Sequence, residues 1–322
     1  MRQTLITIAA IMLGVAPAGA QKNPVIQGLF ADPEVLYSHQ TGKYYIYPTT
    51  DGLRNWAGHE FHVFESRDRK QWTDCGVVLD LRDDVAWADN NAWAPCIIER
   101  EQPDGSYRYY FYYTAEGQIG AAVGESPTGP FVDSGAPLIG KERPEGMGHG
   151  ANIDPDVFCD PATGKYYLYW GNGYLAVAEL ADDMVSLRPG TTRLIINSKQ
   201  YYSEGTYVFE RKGWYYFLWS KNDTRSPEYQ VRYCRARSPL GPINPADSKV
   251  ILQQRPEQEI YATGHNSVLR HPRRDRWWIV YHRFQRPDAI KLGRDAGYNR
   301  EVCIDRLRFD RDGNILEIIP QP

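Results

Sequence analysis

Helical periodicity is nearly absent from this sequence, because apolar residues seldom recur at intervals of three or four positions. Beyond the first twenty residues, no apolar run reaches the 18 residues that a membrane-spanning helix needs. Cysteine is scarce as well: five residues in 322, an odd number without metal or redox spacing. We therefore expect no membrane span and no disulfide framework, although a single disulfide stays open.

Excess positive charge is also lacking. The chain has 37 Lys and Arg against 40 Asp and Glu, which gives a formal net charge of -3. Proteins that bind nucleic acid usually present a basic surface. A nucleic-acid partner is therefore not expected.

The first twenty residues have the pattern of a secretory signal peptide. Arg2 precedes the apolar run 5–15, and Ala18 and Ala20 form a small-x-small cleavage pattern. We predict cleavage after Ala20, with residues 1–20 as signal peptide and residues 21–322 as one catalytic domain. The mature protein, with a charge of -4 after the loss of Arg2, would then be secreted or periplasmic.

Aromatic residues are abundant and fall into short runs between glycines and prolines. The chain has 23 Tyr, 10 Phe and 9 Trp, and runs of this kind are typical of β-strands. Five such strands follow, at about a dozen residues, a short segment with one conspicuous residue. The pairs are FADPEV with KYYIYPTT, NAWAP with YRYYFYY, NIDPDVF with KYYLYW, YSEGTYVF with GWYYFLW, and TGHNSV with RWWIVYH.

The repetition of one offset predicts an all-β fold, a five-bladed β-propeller. Each repeat adds a third strand and a looser fourth segment, so we expect four-stranded antiparallel blades around a central axis. The last repeat is expected to close with a hairpin between EVCIDRLRFD and NILEIIP. A β-sandwich is the alternative, but a sandwich does not require the same offset five times.

In a propeller, the conspicuous residues of the five repeats converge on the axis. They are Asp32, Trp93, Asp154, Glu204 and His265. Two carboxyl groups in different environments can divide acid and base work, as glycoside cleavage requires, and a third acid raises the pKa of the proton donor. Acids on different blades favour the separation of about 6.5–9.5 Å that an inverting enzyme uses.

Several of these residues also have a structural interpretation. Trp93 either offers a flat face to a sugar ring or packs within its blade. His265 either enters the pocket or is a core residue. Arg300 either binds sugar hydroxyls or a catalytic carboxylate, or it forms a salt bridge with Glu301 or Asp305. The acids themselves could be structural, since Asp-Pro is common in turns.

At these motifs the chain resembles glycoside hydrolase family 43, whose β-xylosidases, α-L-arabinofuranosidases and arabinanases share a five-bladed propeller. The resemblance covers nearly the whole of residues 21–322. One departure is Glu-Gly-Thr, where many members have Glu-Gly-Pro. The motifs are Phe30-Ala31-Asp32-Pro33, Trp93-Ala94-Pro95, Ile153-Asp154-Pro155, Ser203-Glu204-Gly205, Gly264-His265-Asn266-Ser267 and Asn299-Arg300-Glu301.

The resemblance implies a role for each matching residue. It implies that Asp32 is the general base, that Asp154 orients the proton donor and raises its pKa, and that Glu204 is the general acid, with Asp156 as a minor competitor of Asp154. It implies substrate contacts from Phe30, Trp93, His265 and Arg300. It also implies that no cofactor is required for the chemistry, although a structural calcium ion beside His265 is possible.

The expected function is that of an exo-acting, inverting α-L-arabinofuranosidase on arabinose- or xylose-containing oligosaccharides or polysaccharides. β-Xylosidase and endo-arabinanase activity are alternatives within the family, and galactofuranose is a third possible sugar. A carbohydrate-binding propeller without catalysis is the alternative from another class. Endo or exo action depends on loops, for which residues 141–151 and 221–229 are the candidates.

Overall fold

A computed structural model describes residues 22–322, so the predicted signal peptide lies outside the described part of the chain. Five antiparallel sheets follow one another along the sequence. The first strand of each sheet contacts the first strands of the next and the previous sheet, and the last sheet contacts the first. This closed ring confirms the predicted five-bladed β-propeller.

The first two blades each contain four strands in sequence order. Blade I consists of β1 (Phe30–Tyr37), β2 (Tyr44–Thr50), β3 (Glu60–Ser66) and β4 (Thr73–Asp80). Blade II consists of β5 (Trp93–Glu101), β6 (Tyr107–Ala115), β7 (Gln118–Gly124) and β8 (Val132–Asp133).

Blades III and IV follow the same plan, whereas blade V has three strands. Blade III consists of β9 (Asp156–Cys159), β10 (Tyr166–Trp170), β11 (Leu175–Glu179) and β12 (Arg193–Ile196). Blade IV consists of β13 (Glu204–Arg211), β14 (Trp214–Lys221), β15 (Gln230–Ala236) and β16 (Lys249–Leu252). Blade V consists of β17 (Gly264–Arg270), β18 (Trp277–Phe284) and β19 (Arg300–Leu307).

Helices are few and short in residues 22–322. The one α-helix is α1 (Leu81–Asp84), and the 3₁₀ helices are Arg54–Trp56, Pro245–Asp247, Pro256–Gln258 and Ala289–Tyr298. None of these helices has the length and the hydropathy that crossing a membrane would take. All five cysteines are free.

Blade V obtains its outermost backbone contacts from the segment that precedes β1. The N–H of Val25 donates to the carbonyl of Val302 on β19 at 2.9 Å. The side-chain oxygen of Asn23 accepts the N–H of Ile304 on the same strand at 2.9 Å. The segment thereby covers the edge of β19 and ties the first blade to the last.

The predicted closing hairpin is reduced to a single bridge between Phe309 and Ile315. Beyond it, the chain turns to blade IV, where the N–H of Ile318 donates to the carbonyl of Ile251 at 2.7 Å. The edge of β16 therefore gains the backbone partner that the hairpin would have given to β19.

Aromatic side chains fill the interfaces between blades. Tyr109, Phe111 and Tyr113 of β6 belong to the core shared with blade I, whereas Tyr110 and Tyr112 belong to the core shared with blade III. Successive strand residues point to opposite faces, and both faces of a blade are buried. This is why the aromatic runs are continuous instead of alternating with polar residues.

Near the start of each innermost strand lies a residue in the left-handed region of backbone conformation. These residues are Asp32 (φ 46°), Ala94 (φ 42°), Asp154 (φ 61°), Gly205 (φ 62°) and His265 (φ 43°). In blades I, II, IV and V, the pairing register with the second strand also shifts at this point, as in a β-bulge. The repeat of the fold is thus centred on Ala94 and Gly205, one residue after the conspicuous Trp93 and Glu204.

A hydrogen bond to the preceding blade holds this residue in four of the five blades. In each case its buried N–H donates to a polar side chain near the end of the neighbouring second strand. The bonds are Ala94 to Thr49 Oγ1 (2.7 Å), Asp154 to Thr114 Oγ1 (3.0 Å), His265 to Ser220 Oγ (2.7 Å) and Asp32 to His282 Nδ1 (3.1 Å).

Blade IV is the exception. Gly171, the residue that follows β10, occupies the position equivalent to Thr114 and has no side chain to accept a hydrogen bond. The N–H of Gly205 donates instead to Oδ2 of Asp154 at 3.1 Å. Because Gly171 offers no acceptor, a hydrogen bond joins the acid of blade III to Gly205, the residue next to Glu204.

The acceptor role of Thr114 can be tested by Thr114→Val, which keeps the shape of the side chain but removes the hydroxyl. The variant leaves the buried N–H of Asp154 unpaired, and we expect the free energy of unfolding to fall by about 1–3 kcal/mol. Denaturant unfolding measures this loss. Thr114→Ser, which retains the hydroxyl, is the control; equal stability of the Val and Ser variants would contradict the role.

Candidate active site

A cavity of about 580 Å³ lies at the end of the propeller where the innermost strands begin. Six of the seven predicted site residues line it: Asp32, Trp93, Asp154, Glu204, His265 and Arg300. Phe30 does not, because its ring packs against Phe64 and His62 at centroid distances of 5.1 and 5.9 Å. The volume of the cavity lies within the range of known binding sites for small molecules.

Asp32 lies between two cations. Its Oδ1 is 3.0 Å from Nη1 of Arg300 and 3.1 Å from Nδ1 of His265. Burial by itself would raise the pKa of Asp32, but Arg300 and His265 outweigh burial and hold that pKa well below the ordinary value. Asp32 is therefore ionised over the whole physiological range.

Glu204 is held at both oxygens by neutral donors. Asn172 Nδ2 donates to Oε2 at 2.6 Å, and the Tyr229 hydroxyl donates to Oε1 at 2.8 Å. Burial is the largest influence on the carboxyl group and raises its pKa; Asp32 raises it further, against His265, Tyr229 and Asn172. Glu204 can thus hold a proton more readily than an exposed glutamate.

Asp154 is buried beside Glu204 and accepts the N–H of Gly205. Burial, together with the charges of Glu204 and Asp32, raises its pKa to about 7 in spite of His265. Asp156 lies two residues further along, where its Oδ2 accepts the N–H of Val208 at 2.8 Å, and it does not line the cavity. Asp154 is therefore the acid of blade III that reaches the site.

His265 joins the base side of the cavity to the acid side. Its Nδ1 faces Asp32, and its ring lies so close to Gly205 that a Cβ there would come within 3.1 Å of it. Burial would lower the pKa of His265, but Asp32, Asp154 and Glu204 raise it to about 9. The ring is thus an imidazolium, and Gly205 is required by its close approach.

The calcium ion beside His265 stays a prediction. A metal-bound imidazole must be without a proton on its ligand nitrogen, whereas His265 is charged and turned toward Asp32. Within residues 22–322, the only three side chains whose donor atoms could share an ion are His59, Glu60 and Asp80. The residues around His265 do not fit direct coordination, and we derive no step through an ion.

Arg300 binds two carboxylates of blade I. Besides Asp32, it contacts Asp51, whose Oδ2 accepts from Nε at 2.8 Å and from the backbone N–H at 3.0 Å. The salt bridges considered from the sequence do not form: Glu301 pairs with Arg283 at 2.7 Å, and Asp305 accepts from Tyr281 at 2.8 Å. Arg300 is therefore a residue of the cavity.

An aromatic wall covers one side of the cavity. The indole N–H of Trp93 donates to the carbonyl of Trp56 at 2.7 Å, and the indole N–H of Trp56 donates to the carbonyl of Gly297 at 2.8 Å. The Trp56 and Tyr298 rings meet edge to face at 4.6 Å. The 3₁₀ segments Arg54–Trp56 and Ala289–Tyr298 thus hold Trp93 at the rim.

Four important neighbours of the acids were not predicted: Asp51, Asn172, Tyr229 and His282. His282 ends the aromatic strand RWWIVYH, and its ring stacks on Tyr229 with an interplanar angle of 3°. Burial and the charge of Arg300 lower the pKa of His282 to about 4, so this ring is neutral. Of the two loops proposed to shape the channel, residues 221–225 line the cavity, whereas residues 141–151 do not.

Comparison with known proteins finds glycoside hydrolases as relatives of the chain. A family model described as "Glycosyl hydrolases family 43" matches residues 21–315. The chain is 32% identical over 308 residues to a β-D-galactofuranosidase of Aspergillus niger, covering 92% of this chain and 84% of that protein. It is 27% identical over 361 residues to a xylosidase/arabinosidase of Humicola insolens, covering 92% and 99%. An α-L-arabinofuranosidase structure from Clostridium thermocellum has a TM-score of 0.71 at 29% identity, covering 90% and 94%.

The pairing of His265 with Asp32 predicts that Asp32→Asn lowers the pKa of the imidazole from about 9 toward its ordinary range. The variant removes the carboxylate that contributes most to the charged form, while burial continues to oppose it. Long-range ¹H–¹⁵N spectra of the histidine ring measure the titration. Asp104→Asn, in an exposed turn of blade II, is the matched control, and an unchanged His265 titration in Asp32→Asn would contradict the pairing.

Proposed function

The chain belongs to glycoside hydrolase family 43 and is a glycoside hydrolase, and on that premise we propose that it is an exo-acting, inverting α-L-arabinofuranosidase. One observation carries the mechanism: the carboxyl groups of Asp32 and Asp154, which are buried, and of Glu204, which is partly buried, share a cavity but differ in how readily they ionise. Asp32 is stabilised as an anion by two cations, whereas the pKa values of Asp154 and Glu204 are raised. A pair of acids with divided environments is what acid–base hydrolysis of a glycoside uses.

Asp32 acts as the general base in this proposal. It is ionised at every pH at which the enzyme would operate, so it can accept a proton from the attacking water. Arg300 and His265 fix the carboxylate in position, and both remain charged. The water attacks the anomeric carbon on the face opposite to the departing group.

Glu204 acts as the general acid. The Tyr229 hydroxyl that donates to the carboxylate can also accept a hydrogen bond from the protonated acid, so it serves both states. Asp154 accepts the N–H of Gly205 and so positions the peptide group next to Glu204, while the negative charge of Asp32 favours the protonated form of Glu204. Glu204 protonates the glycosidic oxygen as its bond to the anomeric carbon breaks, and one displacement inverts the anomeric configuration.

Two furanosides are supported as substrates. The Clostridium thermocellum relative is an α-L-arabinofuranosidase, and the Aspergillus niger relative is a β-D-galactofuranosidase. The two sugars have the same ring configuration, and galactofuranose carries one additional hydroxymethyl group. β-D-Galactofuranosidase activity is therefore the second candidate, ahead of β-xylosidase activity. The predicted signal peptide supports action outside the cytoplasm, on extracellular or periplasmic glycans.

A panel of 4-nitrophenyl glycosides tests the proposal. We expect the α-L-arabinofuranoside to give the highest kcat/KM, above the β-D-galactofuranoside and the β-D-xyloside, with little release from linear arabinan. Proton NMR during early turnover should show the sugar first in the inverted configuration. A retained anomer would contradict the mechanism, and a faster galactofuranoside would select the second candidate.

The role of Glu204 predicts that the loss in Glu204→Ala depends on the leaving group. On arabinofuranosyl oligosaccharides, whose leaving oxygen needs a proton, we expect kcat/KM to fall by about 10²–10⁴-fold. With a 2,4-dinitrophenyl leaving group, which departs without a proton, the loss should be much smaller. Asp32→Ala is the control, because the base is needed for both substrates; a uniform loss in Glu204→Ala would count against its role as acid.

A further inference from the structure

Two lysines line the catalytic cavity without a carboxylate partner. Lys199 lies in the segment before β13, and Lys221 is the last residue of β14. The Nζ of Lys221 donates to the backbone carbonyl of Lys199 at 3.0 Å. Among residues 22–322, no ion pair within 4.0 Å involves either lysine.

Apart from the acids Asp154 and Glu204, the other charged side chains of the cavity are paired with an opposite charge. Asp32 is paired with Arg300 and His265. Asp223 is paired with Arg225 at 2.7 Å and with Arg294 at 3.4 Å. The two ammonium groups therefore remain as positive charge that no side chain of the cavity neutralises, and burial and Arg232 lower the pKa of Lys221.

Both lysines lie on the side of the general acid. The side chain of Lys199 lies over Gly173, where a Cβ would be 3.2 Å from its Cε, and Gly173 follows the Asn172 that donates to Glu204. Lys221 follows Ser220, the residue paired with Glu204 across β13 and β14. Asp32, the proposed base, and its partners Arg300 and His265 belong to blades I and V, away from the two lysines.

The position of the lysines relative to the acid indicates which part of the substrate they meet. The general acid contacts the oxygen of the leaving group, so the sugar or aglycone beyond that oxygen lies on the acid side of the cavity. The sugar that is cleaved off lies between the acid and the base. Lys199 and Lys221 are thus placed for the leaving group.

We propose that Lys199 and Lys221 form an aglycone subsite for a leaving-group sugar with an anionic substituent, either a carboxylate, as in a uronic acid, or a sulfate ester. The inference rests on the proposed function, since it needs Glu204 as the acid. A lysine ammonium is a point charge on a flexible stem, so it selects for charge more than for the geometry of the anion. A neutral aglycone gains nothing from these two groups.

The test uses three aryl glycosides of the sugar that the nitrophenyl panel identifies: 4-carboxyphenyl, 4-sulfophenyl and neutral 4-carbamoylphenyl. The measured quantity is the ratio of kcat/KM for each anionic aglycone to that for the neutral one. In Lys199→Gln/Lys221→Gln we expect this ratio to fall by about three- to tenfold relative to wild type, the range for two partly exposed charge pairs. Comparison of ratios between enzymes cancels the intrinsic reactivity of the three aglycones.

Two controls separate charge from structure. Lys70→Gln removes one lysine charge in the turn between β3 and β4, at the opposite end of the strands, and should keep the wild-type ratio. Lys221→Arg retains the charge and should keep most of the preference. In the wild type, raising the salt from about 10 mM to about 500 mM should reduce the ratio, because exposed charges are screened.

The outcomes are distinct. If the ratio decreases for one of the two anionic aglycones and not for the other, the anion whose ratio decreases is identified as the substituent. Ratios that are the same in wild type and double variant, for both anions, would overturn the aglycone subsite while leaving the proposed function intact. Failure to cleave any of the three glycosides would overturn the proposed function, and the subsite with it.

Discussion

The site depends on one requirement of the backbone: a buried N–H at the start of each innermost strand must have an acceptor. Four blades obtain it from Thr49, Thr114, Ser220 and His282 of the preceding second strand. In the fifth case Gly171 provides none, and the carboxylate of Asp154 takes its place. The hydrogen bond that satisfies the N–H of Gly205 therefore also holds the carboxylate of Asp154 beside the peptide group next to Glu204. A break in the symmetry of the propeller thus becomes part of the proposed catalytic arrangement.

The division of labour among the acids follows from where the cations lie. Arg300 and His265 both contact Asp32, so in a poorly solvated cavity its ionised form is strongly favoured. Asp154 and Glu204 receive less compensation for burial, and each raises the cost of charging its neighbours. His282, although it also lies beside Asp32, is neutral and acts as an acceptor for the backbone. The pKa values of the three carboxyl groups therefore differ because of the neighbouring residues and not because of how deeply each group is buried.

Much of this could be predicted from the sequence, because the propeller repeats its constraints. The aromatic strands and their common offset gave the five blades and brought Asp32, Asp154, Glu204 and His265 to one cavity. The acceptors are polar residues at or near the ends of four aromatic strands, but only the bulge and its positive φ explain why they are needed. A register shift has no signature in composition, so the exact alignment of Trp93 and Glu204 was off by one residue. Phe30 was assigned to the substrate from the family resemblance, but its ring packs against Phe64 and His62 and does not line the cavity.

Substrate choice follows a different rule from the chemistry. The acids lie on strands whose register, bulge and neighbouring hydrogen bonds are shared by all blades, so they tolerate little change. Trp56, Lys199 and Lys221 lie on or beside connecting segments whose lengths differ from blade to blade. Such segments vary more freely than the strands they join, and they bear the groups that contact the outer part of a substrate. This separation explains how relatives at 27–32% identity can be named for galactofuranosidase and for xylosidase/arabinosidase activity while matching one family. The specificity of this enzyme therefore has to be sought in the rim of the cavity, where Trp56, Lys199 and Lys221 lie.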